Sequence, residues 1–209
     1  MSEGKVELGL RELKKRQTRL DLCTAARRLT VERGLDATTA EDVAKAVGVS
    51  PRTFFNYYET KLDAVVGPVG EIGTPEAQER FVSGGPTGVL IDDLTWLYAS
   101  GYEPDDEVRE SISLVAEIIK NEPRVLAAFV ASGVRHEAAV VDLLSARTGS
   151  DIDPQFAVMA AHLMSAIATR AAMSLADNPN GSLAAALHDQ CDLAARLFDR
   201  GRQQKENHP

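Results

Sequence analysis

Residues 38 to 65, TTAEDVAKAVGVSPRTFFNYYETKLDAV, constrain the fold of this chain more than any other stretch. Thr38 and Thr39 supply an N-cap, and Glu41 and Asp42 fall in the first turn, where the helix dipole favours negative charge. Ala40, Val43, Ala44 and Val47 recur at helical spacing and predict one buried face. Gly48 follows as a C-cap residue able to take positive φ. Val49 then points inward, Ser50 caps a second helix, and Pro51 takes its first position. On that helix Arg52, Thr53, Asn56 and Tyr57 fall on the exposed side, and Phe54 and Tyr58, four apart, on the inner side. Thr60 caps a further helix, with Lys61 at its exposed N-terminal end. Two short helices joined by a tight Gly-containing turn make a helix-turn-helix, whose second helix fits a DNA major groove. A helical hairpin with a polar outer face shares this spacing, so spacing alone leaves both readings open.

The residue types suit DNA. Arg52 can bridge a guanine edge or a phosphate, and Thr53 and Asn56 can hydrogen-bond base edges or phosphates. Tyr57 and Lys61 suit backbone phosphates. The segment Leu22 to Val65 resembles the DNA-binding domain of the TetR (tetracycline-repressor) family. The resemblance runs through Ala25-Ala26, Leu29, Glu32, Gly34, Thr39, Val43-Ala44, Gly48-Val49-Ser50, Thr53-Phe54-Phe55, Tyr57-Tyr58 and Lys61. It implies a recognition helix over Pro51 to Tyr57, with bases and phosphates met by Thr53, Phe55, Asn56, Tyr57 and Lys61. Thr39, Ser50 and Arg52 complete the expected DNA-binding set. Two positions depart from the family's pattern. Thr30 stands where Phe is usual, which is expected to loosen the packing of the first helix. Phe55 stands where Tyr is common, which removes a hydroxyl and leaves a contact with a thymine methyl.

A net charge of −8 looks wrong for a DNA binder until it is divided. Residues 1 to 63 carry 12 Lys+Arg and 10 Asp+Glu, for +2, and the remainder carries 11 and 21, for −10. Residues 11 to 28 hold Arg11, Lys14, Lys15, Arg16, Arg19, Arg27 and Arg28 against only Glu12 and Asp21. Such a basic stripe supplies the salt-dependent phosphate attraction a duplex binder needs. Residues 1 to about 10 read as a mobile N-terminal arm, 11–66 as the helix-turn-helix DNA-binding domain, and 67–209 as a ligand-binding and dimerisation domain.

The body reads as helical. Gly and Pro runs at residues 67–75 and 83–86 mark breaks. Helices are predicted near 87–100, 105–121, 123–147, 154–177 and 182–202, with loops at 101–104, 121–123, 148–154 and 178–181. The result is an all-α chain of about nine helices, three of them in the head. The N-terminus is polar and charged through Arg19, unlike a secretory signal, and the most apolar stretch, 154–176, is interrupted by His162 and Arg170. The expectation is a cytoplasmic protein with Cys23 and Cys191 as two reduced thiols.

Two long helices carry the dimer expectation. Phe156, Ala160, Leu163, Ile167 and Ala171 form one stripe; Leu183, Leu187, Cys191, Ala194 and Phe198 form another, with Ala186, Leu193 and Leu197 beside it. Two apolar faces per helix exceed what one partner needs. In the TetR family the final two helices pair with their twins, so the interface is expected at Phe156, Leu163, Ile167, Leu187, Cys191 and Leu197. A small-molecule site is expected from Trp96, Phe129, His136, Met159 and His162, a mostly apolar set with a few polar groups. His136 and His162 are equally readable as ordinary core or surface histidines. No metal-ligand spacing, nucleophile motif, phosphate-cradling Gly loop or paired carboxylate in an apolar context occurs, so neither catalysis, a cofactor nor a metal is expected. The reading is a ligand-responsive regulator, a repressor binding a palindromic operator as a homodimer and released by a small lipophilic effector. A helical adaptor or enzyme with a look-alike hairpin, or an activator of the same family, stays open. Effector, operator and target genes are not legible.

Overall fold

The computed structural model describes residues 3–68, 72–101, 105–149, 152–178 and 181–198. The loop positions expected at 102–104, 150–151 and 179–180, the part of the last helix beyond Phe198, and His208 lie outside them. Among the described residues there are ten helices and no strand. They are α1 (Glu3–Arg33), α2 (Ala40–Val47), α3 (Pro51–Phe55), α4 (Lys61–Val66), α5 (Pro75–Val82), α6 (Leu90–Ser100), α7 (Asp105–Asn121), α8 (Pro123–Thr148), α9 (Pro154–Asp177) and α10 (Leu183–Phe198). α1 begins at Glu3, within the stretch expected as an arm. Two elements differ from the sequence reading. The head holds four helices where the sequence reading counts three, since the helix expected behind the Thr60 cap ends at Val66 as a short element of its own. α5 lies between the two Gly/Pro breaks, and it exists because Thr74 caps it and Pro75 occupies its first turn as a starter.

The chain forms two compact units, residues 1–70 with 110–135 and residues 71–109 with 136–209. The core of the first joins Leu22, Cys23 and Ala26 of α1, Val43 and Ala44 of α2, Phe54 of α3 and Ala64 and Val65 of α4. It also takes in Ile118 of α7 and Val125 of α8, 3% and 0% exposed, so the head's core is completed by residues far along the chain. Arg27, only 7% exposed, ties the same parts together. Its guanidinium donates to the carbonyls of Val65 (2.8 Å) and Val66 (2.7 Å), at the end of α4, and to Ser111 O (2.9 Å) and Oγ (2.6 Å). Gly67 follows with φ +96°, and a Cβ there would stand 2.9 Å from the Arg27 guanidinium. Arg28 pairs with Glu110 at 2.6 Å. Arg27 and Arg28 are therefore engaged within the unit. Thr30 is 4% exposed and its hydroxyl donates to Ala26 O at 2.7 Å, which satisfies a polar group in the place of an aromatic ring.

In the second unit α9 packs on α10, and α6 packs on α10 and α5. Its large buried side chains include Ile72, Phe81, Leu94, Leu97, Tyr98, Leu144, Met164, Leu175 and Leu187. One charged pair lies within it. Asp93, 0% exposed, meets Arg147 at 2.5 Å. Asp93 also accepts from Thr87 N (2.7 Å), Thr87 Oγ1 (2.8 Å) and Gly88 N (3.2 Å). Arg147 donates to Phe81 O (2.8 Å) and Gly84 O (3.2 Å) and stacks 4.7 Å from the Phe81 ring centroid. The pair thereby pins the loop after α5 to α6 and to the end of α8. Burial pushes the Asp93 carboxyl up, but the donors from Thr87 and Arg147 outweigh it and hold the group below the ordinary carboxylate range.

Candidate nucleic-acid interface

The helix-turn-helix forms as its caps dictate. Thr39 is extended (φ −115°, ψ 158°) and accepts from Asp42 N at 3.1 Å, while its hydroxyl donates to the Asp42 carboxylate at 2.7 Å. That hydrogen bond, with Arg33 at 2.7 Å, holds the Asp42 carboxyl below its usual range. Gly48 ends α2 at φ +76°, a conformation that costs a side-chain-bearing residue roughly 1–2 kcal/mol. Ser50 caps α3 by accepting from Thr53 N at 3.1 Å, and its hydroxyl lies 2.8 Å from that of Thr53. α3 spans only Pro51–Phe55, shorter than the recognition helix expected to Tyr57; Asn56 is its C-cap. The buried side of α3 is Phe54, fully enclosed and edge-on to Phe55 at 5.3 Å. Just beyond the helix, Tyr58 is 6% exposed, and its hydroxyl donates to Arg19 O at 3.0 Å. Burial pushes that hydroxyl well above the ordinary tyrosine range.

The eight residues expected at the DNA fall into three settings. Arg52, Phe55 (53% exposed) and Asn56 are open to solvent on one side of the head, with Thr39 and Ser50 exposed at the cap positions. Thr53 is half-buried beside Ser50. Tyr57 is half-buried against the head's core, so its ring is partly packing and only its edge is available. Lys61 is half-buried too, and its ammonium donates to Thr38 O (2.8 Å) and Asp36 O (3.2 Å). An ammonium has three donors, so this lysine fixes the turn before α2 and keeps one donor over. Sequence reasoning missed this bracing, since no local pattern links residue 61 to carbonyls at 36 and 38. Asp36 in turn pairs with Arg124 of α8 at 2.9 Å.

The residues expected at the effector and dimer sites take varied settings. Of the effector set, Phe129 belongs to the first unit and the other four to the second. Trp96 is half-buried with Arg80 5.8 Å over its ring. His136 is half-buried and edge-on to buried Tyr98 at 5.4 Å; burial pushes its imidazole down toward the neutral form, against the pull of Glu137. His162 is exposed and meets Glu137 at 3.0 Å, and Met159 is 67% exposed. Of the interface set, Phe156 (52%), Leu163 (36%) and Leu197 (82%) face solvent, whereas Ile167 and Leu187 are buried inside the unit and Cys191 sits half-buried 3.6 Å from Thr95 Oγ1. Both cysteines are free. Among the described residues no group of three or more His, Cys, Asp or Glu is placed to hold a metal ion.

The family model described as bacterial regulatory proteins, tetR family, matches residues 22–63, the span of the caps and turn above. A curated relative, the HTH-type transcriptional regulator TcmR of Streptomyces glaucescens, is 27% identical over 203 residues, covering 91% of this chain and 88% of the relative. Residues 22–63 are therefore a TetR-type DNA-binding segment, and the chain as a whole is similar to a regulator of that type. The matched span takes in α2, α3 and the start of α4, and ends just before the buried Ala64, Val65 and Val66. Among solved structures, the chain is similar to the lauroyl-CoA complex of FadR from Thermus thermophilus, a TetR-family transcriptional repressor. There the identity is 23%, the TM-score 0.38, and the coverage 85% of this chain and 93% of that one.

Proposed function

We propose that the chain is a ligand-responsive transcriptional repressor, binding a palindromic DNA operator as a homodimer and released by a small lipophilic effector. The observation that carries the reading is the TetR-type head with Arg52, Phe55 and Asn56 exposed together along the α3 side of the turn. In this reading residues 11–66 read DNA, residues 67–209 bind effector and pair subunits, and the protein works in the cytoplasm without enzymatic activity. Arg52 and Asn56 contact base edges, Phe55 a thymine methyl, and Thr39, Ser50, Thr53, Tyr57 and the remaining Lys61 donor contact phosphates. The test is selection of duplexes from a randomised pool, followed by footprinting. Arg52→Ala and Asn56→Ala are expected to relax preference at particular base pairs by about 1–3 kcal/mol without lowering the melting temperature. Lys61→Ala is expected to lower the salt slope by about one and also to weaken folding by about 1–2 kcal/mol, because two carbonyls lose their donor. A purified chain that enriches no duplex from the pool at low salt would end the proposal.

The exposed side of α9 supports the homodimer. Phe156, Met159, Leu163 and Met173 (50% exposed) fall on one face at spacings of three and four, with Arg170 the polar member of the row. On α10, Leu193 (49%) and Leu197 (82%) continue an apolar flank. Such seams suit four-helix packing of two copies. α9 is long and apolar enough to cross a membrane by composition alone, with 28% of its window buried; two apolar faces, one inward and one for a twin, account for that composition. We accordingly assign Met159 to the interface, and keep Trp96 and His136, beside Tyr98, as the effector-facing residues of the second unit. Leu197→Arg is expected to give a folded monomer by light scattering, while Leu187→Arg places a charge in the unit's own core and unfolds it. A parent protein that is monomeric at micromolar concentration rules the dimer out.

A further inference from the structure

We infer that Arg124, on the first turn of α8, is a positioning residue for DNA reading: its grip on Asp36 fixes the α1–α2 loop that presents Thr39 and the start of α2. The inference rests on the reading of the head as a DNA reader and adds a residue that acts on it through the loop, without touching DNA.

The loop runs from Gly34 to the Thr39 cap. Gly34 closes α1 at φ +84° and donates to Thr30 O at 2.9 Å. The inward side of the loop is packed. Leu35 is 3% exposed and Thr38 0%, and the Thr38 hydroxyl donates to Gly34 O at 3.0 Å. The outward side is held by two cations. Lys61 takes the carbonyls of Asp36 and Thr38, and Arg124 takes the Asp36 carboxylate. Arg124 reaches the loop from 88 positions along the chain, and from a fixed seat. Its neighbour Val125 is 0% exposed in the head's core, so the first turn of α8 cannot slide without emptying a core position. The other arm of the guanidinium meets Glu122 at 3.1 Å, which orients the fork between the two acids. The Arg124 donor holds the Asp36 carboxyl below its ordinary range, so both groups are charged at neutral pH.

Exposure decides what this pair can do. The Asp36 side chain is 81% exposed and the Arg124 side chain 55%. An ion pair so open adds little to folding, and the caps and buried core hold α2 and α3 without it. What it can bias is where the loop rests. Thr39 follows Thr38 directly, so a loop released on its outward side carries the N-terminus of α2 away from its place at the DNA. A protein whose competent form is only partly populated binds with an affinity reduced by that fraction. The sign of one substitution separates this role from plain electrostatics. On charge alone a carboxylate beside a DNA-binding cap repels phosphate, so removing Asp36 would tighten binding. If Asp36 is the handle by which Arg124 sets the loop, removing it loosens binding.

The experiment uses the full chain and a duplex enriched from a randomised pool by the parent protein. The variants are D36N, R124Q, the double D36N/R124Q, and R124K, with melting by circular dichroism as the fold check. D36N and R124Q are each expected to weaken binding about two- to fivefold, the range open to an exposed pair that acts through loop population. The double variant falls no further than the weaker single, because both changes remove the same contact. R124K recovers part of the loss, since an ammonium still meets the carboxylate but lacks the fork. Base preference stays as in the parent, and melting temperatures stay within about 4 °C of it. D36N that binds as tightly as the parent, or tighter, overturns the inference; if R124Q is then still weak, Arg124 is a DNA contact in its own right. Single losses that multiply in the double variant overturn it as well, since the two residues then act separately. A melting temperature lowered by more than about 10 °C in R124Q makes the pair a determinant of the fold and also overturns it. Each of these leaves the reading of the head intact, whereas a parent that enriches no duplex overturns both.

Discussion

Arg147→Ala is expected to destabilise the second unit by about 3–5 kcal/mol, because it leaves the Asp93 carboxylate buried without its counter-charge. For a chain of this size that corresponds to a melting temperature lower by roughly 6–20 °C. The loss has three parts: the charge pair, the donors to the Phe81 and Gly84 carbonyls, and the stacking on Phe81. Its pH dependence has a definite sign. In the parent the Asp93 carboxyl is depressed, so its contribution is present above the ordinary carboxylate pKa and fades as pH falls through the folded value. In the variant the Thr87 donors remain but the lowering by Arg147 is gone, so the carboxyl sits higher than in the parent, takes up a proton earlier on acidification and relieves the penalty. The gap in melting temperature between parent and variant should therefore narrow from pH 7 to pH 4. A gap that widens in acid, or a loss under 1 kcal/mol at pH 7, contradicts the account. Asp93→Asn combined with Arg147→Met should cost less than the two single changes added together, since neither charge is then left alone.

Phe54→Ala carries the other large effect. Phe54 is fully enclosed in the head, in contact with Phe55 and with Tyr58 at 6.0 Å between centroids. Truncation to Ala removes most of a buried ring and leaves a cavity in a five-residue helix that has little stability of its own, for an expected cost of about 3–5 kcal/mol. DNA binding should fall with it at every sequence alike, since the loss is of structure and not of a base contact. Denaturant titration and duplex binding on one preparation check both parts. If the variant melts with the parent yet has lost DNA binding, Phe54 is a contact residue and its placement in the core is wrong.

The contrast between legible and illegible features follows the distance over which each is decided. The caps at Thr39, Ser50 and Thr60 and the left-handed Gly48 are local chemistry, readable within four residues, and they form as expected. α5 was as local, but Pro75 was read as a breaker when, behind Thr74, it starts a helix. The role of Arg27 was illegible because its acceptors include Ser111, 84 residues away, and basic residues in a row look alike in sequence. On α9 the expected stripe from Phe156 to Ala171 runs along the border between the buried side, centred on Ala157, Ala161 and Met164, and the open side. Apolar content announced two faces, but which residues meet the chain itself depends on α10, which packs on α9.

The presence of Ile118 and Val125 in the core of the head bears on how such proteins can be recombined. A fragment ending near residue 66 would display bare apolar patches where those two side chains belong, and would aggregate or unravel. A working graft onto another sensor must carry residues 110–135 along with the reader, so the portable module of this chain is a discontinuous one, stitched from two stretches of the gene.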